Sequence, residues 1–141
     1  MKAIRKYGWL ILLVIAGVFV YAYREYTRKP ADLNDVKAEA IVQAATLVEL
    51  YEKDEAQANK LYLGKAIDVT GTISDITNQK DTAVNVLLGG KYDMHRVSCL
   101  FGVSQLEKIK GAKAGESISL RGICTGYLMD VELNRCVIIK Q

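Results

Sequence analysis

The longest uninterrupted apolar stretch of the chain spans residues 7–23 and has basic side chains on both sides. As a helix, these 17 residues would reach roughly 25 Å, slightly less than the hydrocarbon core of a bilayer. Lys6, Arg24 and Arg28 can extend their charges into the headgroup region beyond it. The pattern predicts a transmembrane helix over residues 7–23 within a membrane anchor over residues 1–29, and a cleaved signal peptide is the alternative interpretation.

Polar residues follow the apolar stretch and predict a linker over residues 30–36. Apolar residues then recur every three or four positions from Ile41 onward, which predicts an amphipathic helix. A second, shorter helix follows, with Asp54 as its N-terminal cap and Gly64 at its end. Together these patterns predict a helical extension over residues 37–63.

Beyond the helical extension the apolar spacing changes from three or four residues to two, which predicts half-buried strands. The predicted strands cover residues 67–74, 84–88, 97–101, 118–124 and 131–138. Residues 77–82 are polar and rich in turn formers, so they are predicted to be a loop. A bulge near Asn134 and Arg135 restores the alternation in the last strand.

A short helix is predicted between the third and fourth strands, because Ser104 and Glu107 have the spacing of a capping box. Three strands, a helix and two strands within residues 64–141 is the order of an OB-fold, a five-stranded Greek-key barrel. Gly71 and Gly122 fall in mid-strand, where a small barrel bends sharply. An SH3-like barrel competes, but it rarely has a helix at this point. The predicted fold class is mainly β with α: an OB barrel preceded by a helical segment and a transmembrane helix.

Charge divides unevenly at the predicted linker. Residues 1–30 carry six Lys or Arg and one Asp or Glu, a net of +5, whereas residues 31–141 carry 13 and 15, a net of −2. Because phosphate neutralisation supplies most non-specific affinity for nucleic acid, an acidic domain disfavours a nucleic-acid partner. The basic residues before the apolar stretch slightly favour a cytoplasmic N-terminus, so we expect an inner-membrane protein whose C-terminal domain is extracytoplasmic.

Four sequence segments carry a family resemblance: residues 62–65, 69–73, 97–101 and 122–136. They resemble a bacterial family of tRNA anticodon-domain-like OB-fold proteins (tRNA_anti-like), many of which look like lipoproteins or membrane-anchored proteins of unassigned function. The resemblance implies an OB barrel and an envelope location, and it transfers no functional residues. The chain departs from the lipoprotein members because it has no cysteine in its first 98 residues to carry a lipid.

The candidate ligand-binding residues lie where OB-folds hold single strands, on the outward face of the second and third strands. If the apolar positions of those strands point inward, the outward set includes Asn85, Leu87, Arg96 and Leu100. Two loop tyrosines, Tyr92 and Tyr127, could stack on a base nearby; these six residues are the predicted site. The strand positions supply one cation and no aromatic ring, so a protein or peptide suits the face at least as well as a nucleotide.

Little in the sequence supports catalysis. His95 falls in a predicted loop without a neighbouring nucleophile, which predicts an ordinary surface residue. The sequence has no phosphate-cradling glycine loop, nucleophile elbow or metal-spaced Cys/His set. We therefore expect a protein that is not an enzyme and that uses no cofactor or metal.

Three cysteines, Cys99, Cys124 and Cys136, have spacings that match no common zinc site. In an OB-fold the last strand lies between the third and fourth, so Cys136 can neighbour either of the others. A disulfide between Cys124 and Cys136, which flank one hairpin, is the candidate pairing in an oxidising compartment. Three small core side chains are the alternative.

The sequence therefore predicts a membrane-anchored, non-catalytic OB-fold binding module of the cell envelope that binds protein or peptide. The alternative is binding of single-stranded nucleic acid or tRNA through the OB-fold face. That alternative rests on analogy of fold, and one fold hosts many functions.

Overall fold

The chain forms two compact units, Met1–Ala31 and Asp32–Gln141, in a computed structural model that describes residues 2–26, 33, 35–79, 82–90 and 93–140. The first unit contains one helix, α1 (Lys2–Tyr26). Within the described part of the chain, no helix is long and apolar enough to cross a membrane. The transmembrane helix predicted over residues 7–23 is therefore not supported.

The second unit is a closed barrel with a short flanking strand and helices. In chain order its elements are β1 (Ala40–Gln43), α2 (Ala44–Lys53), α3 (Glu55–Tyr62), β2 (Ala66–Gln79), β3 (Ala83–Leu88), β4 (Val97–Gly102), a 3₁₀ turn (Val103–Gln105), α4 (Leu106–Ile109), β5 (Ser117–Tyr127) and β6 (Val131–Lys140). The barrel order is β2-β3-β4-β6-β5, and β5 closes it by pairing with β2. The pairing of β4 with β6 is parallel and the other barrel pairings are antiparallel. This is the predicted OB topology, with its helix between the third and fourth barrel strands.

The core lies inside the barrel, where strand residues alternate between buried and partly exposed positions as the period of two predicts. Phe101, Leu120 and Leu133 are fully buried. Helix α2 adds Leu47 and Tyr51 to the same core, so its apolar stripe packs on the barrel as expected for an amphipathic helix. The helix is thereby fixed against the barrel.

Two predicted boundaries are wrong, because pairing to β2 overrides the local pattern. Residues 40–43 fall within the predicted helical extension, but they form β1, which pairs in parallel with residues 67–70 of β2. Ile41 and Val42 are β-branched, which suits a strand. The loop predicted from residue 77 begins later, since Thr77, Asn78 and Gln79 continue β2 by pairing with the start of β3.

The predicted signals at element ends have mixed outcomes. Asp54 caps α3 as predicted, and its Oδ1 accepts from the Gln57 backbone N–H at 2.9 Å. Gly64 ends that helix with φ +77°, a conformation that favours glycine. The capping box at Ser104 is wrong: α4 has no side-chain cap, and Glu107 pairs with Lys110 instead. The β6 bulge is confirmed, with Arg135 at φ 57° and a register shift around it.

Part of the predicted linker is attached to the barrel. Leu33 is buried against Ala66 and Val137. The Arg121 guanidinium donates from Nη1 to the carbonyls of Leu33, at 3.4 Å, and of Val36. Leu33 and Val36 are therefore held on the outer surface of the barrel.

Candidate functional site

The predicted strand face is present and points outward. Asn85, Leu87 and Leu100 are each partly exposed, and Asn85 pairs directly with Leu100 across β3 and β4. Ser98 pairs with Leu87, and its hydroxyl donates to Asn85 Oδ1 at 3.0 Å. This hydrogen bond uses the amide oxygen that a base edge would otherwise contact.

Carboxylates border this face on both sides. Asp75 pairs with Leu87 from the β2 side, and Glu132 pairs with Ser98 from the β6 side, and both side chains are exposed. Among its described residues, the outward face of β3 and β4 contains no cation and no aromatic ring. The platform and basic border that OB-folds use for single strands are thus not formed by this part of the surface.

Arg96, predicted for the face, and Tyr127, predicted for a nearby loop, both lie at one end of the barrel. Arg96 ends the β3–β4 loop, and its backbone N–H donates to Asp130 Oδ1 at 2.7 Å. The carbonyl of Arg96 accepts from the Val131 backbone N–H at 2.9 Å. These bonds fasten the β3–β4 loop to the β5–β6 turn. The sixth predicted residue, Tyr92, lies outside the described residues.

His95, predicted as an ordinary surface residue, is half-buried and contacts the β5–β6 turn, α2 and β5. Its Nδ1 donates to the Met129 carbonyl at 2.6 Å, across the two loops. Its Nε2 lies 3.9 Å from Glu52 Oε1 on α2, and its side chain is only 34% exposed. The ring meets Tyr127 edge-on with 5.9 Å between centroids. The sequence could not reveal this, because all three partners are distant from His95 along the chain.

Two tyrosines continue this contact into the core. Tyr127 stacks on Tyr51 with 5.6 Å between centroids, and the Tyr51 hydroxyl lies 3.2 Å from Cys124 Sγ. Burial, followed by the neighbouring Cys124, raises the pKa of Tyr51. Partial burial and then the charges of three carboxylates raise the pKa of Tyr127; these are Glu52, Asp130 and Glu55. Three carboxylates therefore lie near enough to Tyr127 to disfavour its ionised form.

Three large apolar side chains protrude from the fastened loops: Met94 is 87% exposed, Leu128 80% and Met129 77%. We call Met94, Leu128 and Met129 the loop-end patch. The turn between β5 and β6 carries Leu128 and Met129, although turns normally carry polar residues. These two apolar residues are the feature of the sequence that indicates the patch. Exposed methionines adapt to many apolar partners.

A groove adjoins the patch between α2 and the β3–β4 loop. It consists of two clefts of about 670 and 400 Å³. Both clefts are lined by Ala44, Ala45, Gly89 and Asp93. The second cleft also reaches Met94 and His95. We call these two clefts the α2 groove. The first cleft is lined mostly by small side chains along β2, so a ligand can approach the main chain closely there.

The three cysteines are buried and free. Cys124 contacts the Tyr51 hydroxyl, whereas Cys136 packs over Gly122 and donates to the Leu133 carbonyl at 3.4 Å. The predicted disulfide between Cys124 and Cys136 is not formed, because the two side chains have different neighbours. Burial, and then hydrogen bonding to Cys136, raises the pKa of Cys99 well above its usual value. Among the described residues, no group of three or more His, Cys, Asp or Glu is arranged to hold a metal.

These raised pKa values predict that the protein loses stability at alkaline pH. The unfolded chain releases the Cys99 proton near pH 8.5 and the Tyr51 proton near pH 10, about the values of free side chains, while the folded chain retains both. Because the folded state then binds more protons, the free energy of unfolding falls as pH rises through this window. Urea unfolding at pH 7 and pH 10.5 measures the loss. The variant Tyr51→Phe should lose less between pH 9.5 and 10.5, and a stability unchanged over this range would contradict the assignment.

The fold defines the class of protein: a five-stranded OB barrel with a helix between its third and fourth strands. The chain matches the tRNA_anti-like family over residues 1–138 and belongs to that family. No curated protein gives a significant match to it.

Solved structures with the same fold include a proposed nucleic acid-binding lipoprotein from Klebsiella pneumoniae subsp. pneumoniae. The match has a TM-score of 0.58 and 17% identity, and it covers 79% of this chain and 100% of that one. At this identity the likeness concerns the fold alone. Asparaginyl-tRNA synthetase from Entamoeba histolytica, in complex with asparaginyl-adenylate, matches with a TM-score of 0.43 and 18% identity over 55% of this chain and 21% of that one.

Proposed function

We propose that this protein is a non-catalytic binding module that holds a protein or peptide at the loop-end patch and the α2 groove. The observation that carries the proposal is the patch itself: three large apolar side chains, each at least 77% exposed, on two adjacent loops. Leaving such side chains in water is unfavourable, and contiguous exposed apolar residues mark interaction sites.

The fastening of the loops supports a binding role. His95 joins its own loop to the Met129 carbonyl, and Arg96 binds both Asp130 and Val131. Loops that are already ordered lose little conformational entropy when a partner binds, which favours affinity. The stacked Tyr127 supports them from the core side.

Binding of nucleic acid is the competing function, and the family name and the Klebsiella pneumoniae neighbour are what favour it. Against it, the described strand face is uncharged and bordered by Asp75 and Glu132, and the loop end holds Asp130 close to Glu52 of α2. Carboxylates repel a polyanion, so this surface favours a protein or peptide ligand. The envelope location inferred from the N-terminal sequence stays a prediction.

A peptide selection tests the proposal. A random 16-residue peptide library is selected against the full chain, and the recovered peptides are measured by fluorescence anisotropy. We expect Leu128→Ser/Met129→Ser to weaken their binding at least tenfold, about 1.4 kcal/mol or more, because the patch loses its apolar contacts. Leu87→Ser, on the strand face, is the matched control and should bind like the original protein. Selected peptides that bind all three proteins equally, or salt-dependent binding of oligo(dT) without peptide binding, would overturn the proposal.

A further inference from the structure

We infer that the partner segment is cationic and amphipathic, with apolar side chains on the loop-end patch and Lys or Arg side chains against the carboxylates of the α2 groove. This inference rests on the proposed function and specifies the chemistry of its ligand. It follows from the carboxylates around the patch, which outnumber the basic side chains there.

Carboxylates surround the patch from three elements. Glu49 and Glu52 both line the α2 groove from α2, one turn apart. Asp93 lines both clefts from the β3–β4 loop, and Asp130 holds Arg96 from the β5–β6 turn. Among the described residues that line the two clefts there is no Lys or Arg. The basic side chains beside these carboxylates are His95, which faces Glu52, and Arg96, which packs against Gly89, so acidic groups are in excess.

The raised pKa of Tyr127 is a second sign of nearby carboxylates. Burial raises this pKa most, and the charges of Glu52, Asp130 and Glu55, which come from three different elements, raise it further. Their fields add at one point beside the patch, where a bound ammonium or guanidinium group would be favoured. Such pairs contribute mainly to specificity and to the rate of association, and salt weakens them.

The apolar and acidic parts of the surface are adjacent, so one partner segment can contact both. Met94 contributes to the patch and also lines the second cleft, next to Glu49 and Glu52. A helix with apolar residues on one side and Lys or Arg at the border presents this arrangement in complementary form. An anionic segment would meet repulsion at the same positions.

The test uses two designed peptides and the full chain. Both are 14-residue amphipathic helices with the same leucine face, one with Lys and the other with Glu at all polar positions. We expect the Lys peptide to bind at least tenfold more tightly in 50 mM salt, and we expect 300 mM salt to reduce this preference. Glu49→Gln/Glu52→Gln should weaken the Lys peptide about tenfold and leave the thermal midpoint nearly unchanged, since both side chains are exposed. Glu107→Gln on α4, which lines neither cleft, is the matched control.

The outcomes separate this inference from the proposed function. If both peptides bind equally and Leu128→Ser/Met129→Ser still weakens them, the charge inference is overturned and the proposed function stands. If neither peptide binds while oligo(dT) does, both are overturned. If Glu49→Gln/Glu52→Gln and Glu107→Gln weaken the Lys peptide to the same extent, the effect is one of net charge and the inference is again overturned.

Discussion

Replacing Arg121 with methionine is expected to lower the free energy of unfolding by about 3 kcal/mol, near the lower end for breaking a buried ion pair. Arg121 donates from Nε and Nη2 to the two carboxylate oxygens of Asp68, at 2.6 and 2.9 Å, and both side chains are only 16% exposed. Methionine would leave the Asp68 charge without its partner. It would also remove the hydrogen bonds that hold the carbonyls of Leu33 and Val36.

Urea unfolding measures this loss, and two further variants make the result specific. Lys108→Met removes an exposed cation on α4 and should change stability by no more than about 0.5 kcal/mol. Arg121→Met combined with Asp68→Asn should recover part of the loss, because the unpaired charge is then absent. A loss below about 1 kcal/mol for Arg121→Met alone would show that the pair acts as a surface ion pair.

Replacing Gly122 with valine is expected to cost about 3 kcal/mol, at the upper end for overpacking a core. A Cβ atom at this position would lie 2.8 Å from Cys136 Sγ and 3.0 Å from Leu133 Cβ, and both neighbours are buried. Valine adds two further methyl groups, so β5 and β6 must separate. The same close approach explains Gly71, whose Cβ would meet Ala44 Cβ at 2.8 Å. Close packing, in addition to barrel bending, thus requires glycine at both positions.

The matched control is Gly102→Val at the end of β4, where a Cβ would meet nothing within 4 Å. Its backbone is extended, which valine adopts readily. We expect it to change the thermal midpoint little, while Cys136→Ala partly restores the midpoint of Gly122→Val. Equal losses for Gly102→Val and Gly122→Val would contradict the packing explanation.

The barrel was predictable because apolar and polar residues alternate along most of its strands. A period of two from Ile67 to Ile73 indicates a strand. The order of strands, with a helix between the third and fourth, then indicates the OB topology. The same logic failed at residues 40–43, since four residues are too few to separate a strand from the first turn of a helix. Residues 40–43 form a strand because they pair with β2, and the partner of Ala40 in β2 lies 27 positions further along the chain.

The site was predictable only in part. The outward positions Asn85, Leu87 and Leu100 follow from alternation alone, and they do face outward. The loop end did not follow, because loops have no period. Residues 94–96 meet residues 127–130 through bonds between distant positions, and no local pattern encodes them.

Methyl NMR of the full chain, labelled at its three methionines, is the most direct test of the central claim that the loop end binds protein or peptide. Met94 and Met129 belong to the loop-end patch, and Met1, the first residue of the chain, serves as the internal reference. On titration with the selected peptides, we predict that the methyl signals of Met94 and Met129 shift together and saturate while that of Met1 stays in place. Binding that leaves both patch signals unchanged would contradict the account.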